Sequence, residues 1–247
     1  MPDPVEISRQ LHQDLRDVDL GEPVDYIYRP LDYAWDIHRQ YLQRFASKTP
    51  RPILLVGMNP GPWGMGQTGV PFGDVDFVGD WMGLDGTVGT PTREHPNKTV
   101  DGLDCPRNEV SGSRLWGWAR DRYDSAEAFF ERFYVHNYCP LLMLEDTDRG
   151  KNIAPSKLRK AQLETFSGPC DRALRELIAS LRPSYVLGVG NWARDRIKTA
   201  VKDWDPDQTF EIGRILHPSP ASPMANRGWA EQAERQFIEQ DIDLDSL

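Results

Sequence analysis

The sequence predicts an α/β fold of three layers, with a central sheet of four parallel strands between helical faces. Three observations carry this reading. Short β-branched or aliphatic runs recur, each ends in a turn of Pro, Gly or Asn, and helical stretches lie between them. Two of the runs are apolar enough to lie inside a sheet covered on both sides.

In chain order, residues 31–46 carry a helical pattern and 52–57 form the first apolar run. Residues 83–109 are rich in Gly, Pro, Thr and Asn without a period, and predict a long surface loop within one domain. A helix is expected over 113–123 and a second strand over 133–137. A long helix follows over 155–180, begun by Pro155 or Ser156 and stopped by Pro183, then a third strand over 185–190. The fourth strand spans 210–217 and a last helix 225–240.

The 247 residues, 39% of them hydrophobic, suffice for one sizeable core, so a single domain over 1–247 is expected, with about 1–25 and 240–247 peripheral. The longest unbroken aliphatic run covers only 53–56 and the first twenty residues are polar and acidic. Neither a signal peptide nor a membrane span is expected, and the protein should be soluble and intracellular. A bacterial cytoplasm is the first expectation, in the absence of a Lys/Arg-rich targeting tract, and a nucleus if the source is eukaryotic. Cys105, Cys139 and Cys170 are widely spaced and odd in number, which argues against a disulfide framework and against a four-cysteine cluster.

The net charge of −9 argues against nonspecific binding to nucleic acid. Much of the acid sits in residues 14–22 and 239–245, which leaves room for a local basic face.

In an open parallel sheet, ligands bind beyond the carboxyl ends of the strands. Here those ends read Gly57-Met58-Asn59-Pro60-Gly61-Pro62, Asn137-Tyr138-Cys139-Pro140, Gly190-Asn191-Trp192 and His217-Pro218-Ser219-Pro220. Asn59, Asn137 and His217, with Asn191 as a weaker fourth, would line one pocket. Taken singly, each has an ordinary alternative as a turn, a cap or a satisfied histidine, and Phe72 as a loop-anchoring aromatic. The five histidines show no metal-ligand spacing, and no metal or organic cofactor is expected. The nucleophile elbow, the phosphate-loop lysine and the dinucleotide glycine fingerprint are all missing.

Two segments carry a resemblance. Gly57-Met58-Asn59-Pro60-Gly61-Pro62-Trp63-Gly64-Met65-Gly66-Gln67-Thr68-Gly69-Val70-Pro71-Phe72-Gly73 and His217-Pro218-Ser219-Pro220-Ala221-Ser222-Pro223-Met224-Ala225-Asn226-Arg227-Gly228-Trp229 resemble the signatures of single-strand-selective monofunctional uracil-DNA glycosylases. The likeness continues, in order, through Asn108-Glu109-Val110-Ser111-Gly112-Ser113-Arg114, Asn137-Tyr138-Cys139-Pro140-Leu141 and Gly150-Lys151-Asn152-Ile153. Classical uracil glycosylases have Asp in place of Asn59 and Tyr in place of Gly61, and mismatch-specific ones lack the later His. The resemblance implies the uracil-DNA glycosylase fold, a four-stranded parallel sheet between helices.

It also implies roles. His217 would donate to the uracil oxygen where charge develops, and Asn59 would hold the attacking water, since an amide is no general base at neutral pH. Asn137 would read the base edge, accepting from N3–H and donating to O4, if its amide is locked against flipping. Met58 would line the base pocket and Phe72 would stack on the extruded base, a contact of about 1–3 kcal/mol. Gly61 would leave room beside uracil C5, so that 5-hydroxymethyluracil fits alongside uracil. Pro218, Ser219 and Pro220 would enter the duplex, with Met224 as a wedge and Arg227 on a phosphate. Met224 has helix-start packing as its equal alternative. Lys151 and Arg114 are further phosphate candidates, and Ala221 departs from relatives that carry a basic residue there.

The expected partner is DNA, single- or double-stranded, containing uracil or a 5-modified uracil, acted on by a monomer without lyase activity. Two other readings stand beside it: a hydrolase of free nucleosides, which the acidic charge favours, and a DNA-lesion-binding protein without catalysis.

Overall fold

A computed structural model describes residues 3–47 and 49–245. Helix α1 (Pro4–Leu15) is capped by the Asp3 carboxylate, which accepts from the Val5 amide at 3.0 Å. Strand β1 (Tyr26–Tyr28) leads through α2 (Pro30–Tyr33) into α3 (Trp35–Phe45), β2 (Ile53–Gly57) and the single turn α4 (Met65–Thr68). After a long loop come α5 (Val110–Arg122), α6 (Ala126–Arg132), β3 (Phe133–Asn137) and β4 (Leu142–Leu144). The chain continues through α7 (Lys160–Leu181), β5 (Tyr185–Val189), α8 (Asn191–Val201), β6 (Glu211–Ile215) and α9 (Trp229–Ile238).

Four strands pair in the order β3-β2-β5-β6, all parallel, with Ile53 opposite Phe133 and Tyr185. Every residue of β2 is buried, as expected for a strand at the centre of a sheet with helices on both faces. The four strands lie within the predicted ranges. The last stops at Ile215, two residues early, so Leu216 and His217 leave the ladder.

The remaining differences have local causes. β1 and β4 form a separate antiparallel pair, Tyr26 opposite Leu144, of three residues each, too short to show a period. Helices α6 and α8 went unpredicted, and the stretch over 31–46 divides at Ala34. The ends are not peripheral. Ile7, Leu11 and Leu15 recur every four residues along the otherwise polar α1 and enter the core, and Ile242 and Leu244 close it at the other end. The stretch over 83–109 is a loop with one short helical turn (Gly102–Asp104), and Gln67 makes three of the hydrogen bonds that pin it. The Gln67 amide donates to the Pro62 and Thr99 carbonyls and accepts from the Asp101 and Gly102 amides. Among the described residues no helix is long and apolar enough to cross a membrane.

Candidate active site

The carboxyl ends of β2, β3 and β6 open onto one cavity of about 480 Å³. Met58, Asn59, Phe72, Asn137 and His217 all line it, so the structure gathers residues that lie up to 159 positions apart in sequence. Gly61, Ser219 and Pro220 also line it, whereas Asn191 starts α8, is exposed and takes no part.

Gly57 makes the gathering possible. Register sets it opposite Asn137, and a Cβ on it would lie 2.2 Å from Asn137 Oδ1 and 2.5 Å from the Phe72 ring. Only hydrogen fits. Phe72 itself adopts a left-handed backbone, φ 56°, uncommon for so bulky a residue. Its carbonyl accepts from Trp116 Nε1 at 3.0 Å and from the Asp74 amide at 2.8 Å, which hold the strained turn and aim the ring at the cavity. Its centroid lies 6.0 Å from that of His217.

The Asn137 amide is oriented by sulfur. Its Nδ2 donates to Met65 Sδ at 3.2 Å, and a thioether accepts but cannot donate, so it selects the NH₂ end. Asn137 Oδ1 is buried and finds no partner among the described residues. A buried acceptor left unpaired costs about 1–3 kcal/mol, and this one, unlike the other buried orphans, opens on the cavity, where a donor on a ligand would complete its bonding.

His217 is a neutral donor. Burial pushes its pKa down to about 4. The Ser219 amide donates to Nδ1 at 3.0 Å, which makes Nδ1 the acceptor and leaves the proton on Nε2. Asn59 Nδ2 donates to the Pro60 carbonyl at 3.3 Å, and the Asn152 amide donates to the same oxygen at 3.1 Å. Asn59 Nδ2 also donates to Asn152 Oδ1 at 3.5 Å, so its NH₂ end is occupied and its carbonyl oxygen is left for another partner.

The space at Gly61 corrects an expectation. It is not open: a Cβ there would lie 2.3 Å from Glu109 Oε2. The Glu109 carboxylate fills the volume, accepts from the Trp63 amide at 3.2 Å and lines the cavity. Burial pushes its pKa up from the ordinary carboxylate value. Glu109 and Asn152 sit in segments that sequence reading singled out, yet neither was assigned to the pocket. No local pattern marks them, because they reach the pocket from a long loop and from the strand-like bridge at Leu144.

Around the rim, Met224 is 52% exposed, so it does not pack at the helix start, and Arg227 is exposed. Pro218 is buried. Its carbonyl accepts from Arg114 at 3.0 Å, so it shapes the loop instead of presenting a surface. Arg114 also donates to Asn226 Oδ1 at 2.8 Å, tying both ends of that loop together. Lys151 is exposed and pairs with Glu145 at 3.5 Å. No cluster of three or more His, Cys, Asp or Glu suited to a metal occurs among the described residues.

The family model of the uracil DNA glycosylase superfamily matches residues 45–242. The Bos taurus protein named single-strand selective monofunctional uracil DNA glycosylase is 44% identical over 230 residues, which is 93% of this chain and 83% of that one. The Rattus norvegicus protein of the same name is 42% identical over 236 residues, 96% of this chain and 83% of that one. Among solved structures, that of wild-type Pedobacter heparinus SMUG2 superposes with a TM-score of 0.61 over 96% of this chain and 95% of that one, at 17% identity, a likeness of fold.

Proposed function

This chain belongs to the uracil DNA glycosylase superfamily and, within it, to the single-strand selective monofunctional uracil DNA glycosylases, and on that premise we propose that it excises uracil from DNA by hydrolysis, leaving an abasic site. One observation carries the reading. A buried amide oxygen without a partner among the described residues, Asn137 Oδ1, and a neutral imidazole with its proton on Nε2, His217, face one cavity beside an aromatic ring.

Uracil matches that arrangement. Its N3–H supplies the donor that Asn137 Oδ1 lacks, while the second Nδ2 proton meets O4. Cytosine offers an acceptor at N3 and a donor at C4, which opposes both contacts. Phe72 stacks on the ring and holds it without choosing among bases. As the glycosidic bond stretches, negative charge grows on the departing base, and Nε2–H of His217 donates to O2 where that charge collects. The low pKa of His217 suits this role, since it keeps Nδ1 free of a proton to accept from Ser219 while Nε2–H remains to donate. The free Asn59 carbonyl orients the water that attacks the sugar carbon. Its contribution is positional, because an amide takes up no proton at neutral pH.

With O2 on His217 and O4 on Asn137, the 5-position turns away from His217. We assign it to the Gly61 side of the cavity, where the Glu109 carboxyl offers a hydrogen-bonding partner to the hydroxyl of 5-hydroxymethyluracil. The family name supports a preference for single strands.

The test is release of uracil, in EDTA, from single- and double-stranded oligonucleotides and from deoxyuridine. The expected result is release from DNA alone, with alkali needed to nick the product strand, and steep loss in Asn59→Ala and His217→Ala. Release from deoxyuridine at an equal rate would make this a nucleoside hydrolase, and no release from any of them would overturn the reading.

A further inference from the structure

Next to the base cavity lies a second cleft, of about 620 Å³, which the reaction just described does not use. The two share a wall. Pro62 lines the first and Trp63 the second, and the Trp63 amide donates to the Glu109 carboxylate of the base cavity at 3.2 Å.

The Trp63 ring carries two cations at once: Lys98 Nζ lies 4.6 Å and Arg107 Cζ 4.4 Å from its centroid. Arg149, exposed, lines the same cleft. None of the three forms an ion pair within 4 Å among the described residues. Two carboxylates also line the cleft. Asp101 accepts from the Thr99 hydroxyl at 3.2 Å, and Asp148 is exposed.

Bringing like charges together on one side chain is unfavourable without an anion. Burial and the neighbouring Arg107 push the Lys98 ammonium down, against a smaller upward pull from Glu109. The negative face of the indole offsets part of that repulsion and fixes both cations in place. Their loop is held as well: the Lys98 carbonyl accepts from Tyr28 at 2.9 Å, and the Asp101 and Gly102 amides are tied to Gln67. The cations are therefore held in place before any ligand arrives.

We propose that the cleft of Trp63, Lys98, Arg107 and Arg149 binds a backbone phosphate of the DNA strand beside the flipped nucleotide. The assignment rests on DNA being the substrate. It also answers how a chain of net charge −9 holds a polyanion, since the charge that matters is concentrated within one cleft of the site rather than spread over the surface.

The experiment uses the full chain, a fluorescein-labelled single-stranded oligonucleotide without uracil, and anisotropy across a salt series. Losing this phosphate contact should reduce the slope of log affinity against log salt by roughly 0.7, the value for one phosphate on a single strand, and should weaken binding about tenfold at low salt. Lys98→Gln with Arg107→Gln is the test variant, and Lys98→Arg with Arg107→Lys, which keeps both charges, should retain the slope. Uracil release at limiting enzyme should fall in step with affinity in the neutral variant, because fewer substrate strands are then held. An unchanged slope in the neutral variant overturns the proposal, as does a loss equally large in the charge-keeping one. Inorganic phosphate, added at constant ionic strength, should compete only at millimolar levels. Competition at micromolar levels would make the cleft a site for free phosphate and overturn its assignment to DNA. Since binding is read on DNA without uracil, its outcome is independent of whether the wild type excises uracil.

Discussion

The Ser219 backbone amide donates to Nδ1 of His217 at 3.0 Å, and this contact decides which nitrogen of the imidazole carries the proton. Burial pushes the same ring down to about 4, so it is uncharged in ordinary buffers. Single-turnover uracil release should therefore be level from about pH 8 down to about pH 5, without the step near 6.5 that an exposed histidine would produce. It should fall as the pH approaches about 4, since a protonated Nδ1 can no longer accept from Ser219. The check is a rate profile at saturating enzyme, and a step near 6.5 would contradict the neutral-donor role.

In the role proposed for His217, removing the imidazole removes a donor aimed at developing charge. His217→Ala should lower the single-turnover rate by about 10²–10³ while leaving affinity for uracil-containing DNA within a fewfold range. Asn59→Ala should lower the rate comparably, through lost water positioning. Gel-based product release and anisotropy on the same variants separate the two effects.

Met65 sets the direction of the Asn137 amide, and with it the base edge that the proposed role has Asn137 read. Met65→Leu preserves volume and removes the sulfur acceptor, freeing the amide to turn. A neutral hydrogen bond is worth about 1 kcal/mol, so kcat/KM for uracil should fall about fivefold, with the pH profile unchanged. Unaltered kinetics would mean that another contact locks the amide.

Gly61 and Glu109 compete for one volume. Gly61→Ala places its Cβ against the carboxylate and should destabilise the fold by about 1–3 kcal/mol, as overpacking does. Adding Glu109→Ala should restore most of that loss in thermal unfolding. Strict additivity of the two variants would show that the residues do not compete.

His38 links pH to stability. Its Nδ1 donates to the Gly69 carbonyl at 2.8 Å and its Nε2 accepts from the Ser8 hydroxyl at 2.7 Å, so it joins α1 and α3 to the loop that carries Phe72. Burial holds its pKa near 4, below the ordinary 6.5. Between those values the unfolded chain binds the extra proton. The stabilisation is therefore complete above about pH 6.5 and is lost as the pH falls toward about 4, by about 3 kcal/mol for this one group. His136, pushed down to about 3, acts in the same direction. Unfolding midpoints from pH 7 to 4 should drop steeply in the wild type and less steeply in His38→Gln.

Some of this protein was legible in its sequence alone. The four parallel strands announce themselves as aliphatic runs, because a strand buried on both faces has no polar alternation to hide it. Asn59, Asn137 and His217 follow from the same logic, since each stands where such a run ends. Other features were decided only in three dimensions. The amphipathic α1 shows an acidic, polar composition, and its three core residues become visible only where they pack. That Met65 sulfur orients Asn137, that the Ser219 amide sets the tautomer of His217, and that Glu109 fills the volume at Gly61 are contacts across 72, 2 and 48 residues. Even the shortest depends on the turn that carries it. Periodicity reports which face of an element is buried. It carries no record of which distant atom will stand opposite a given side chain, because that is settled when the whole core closes.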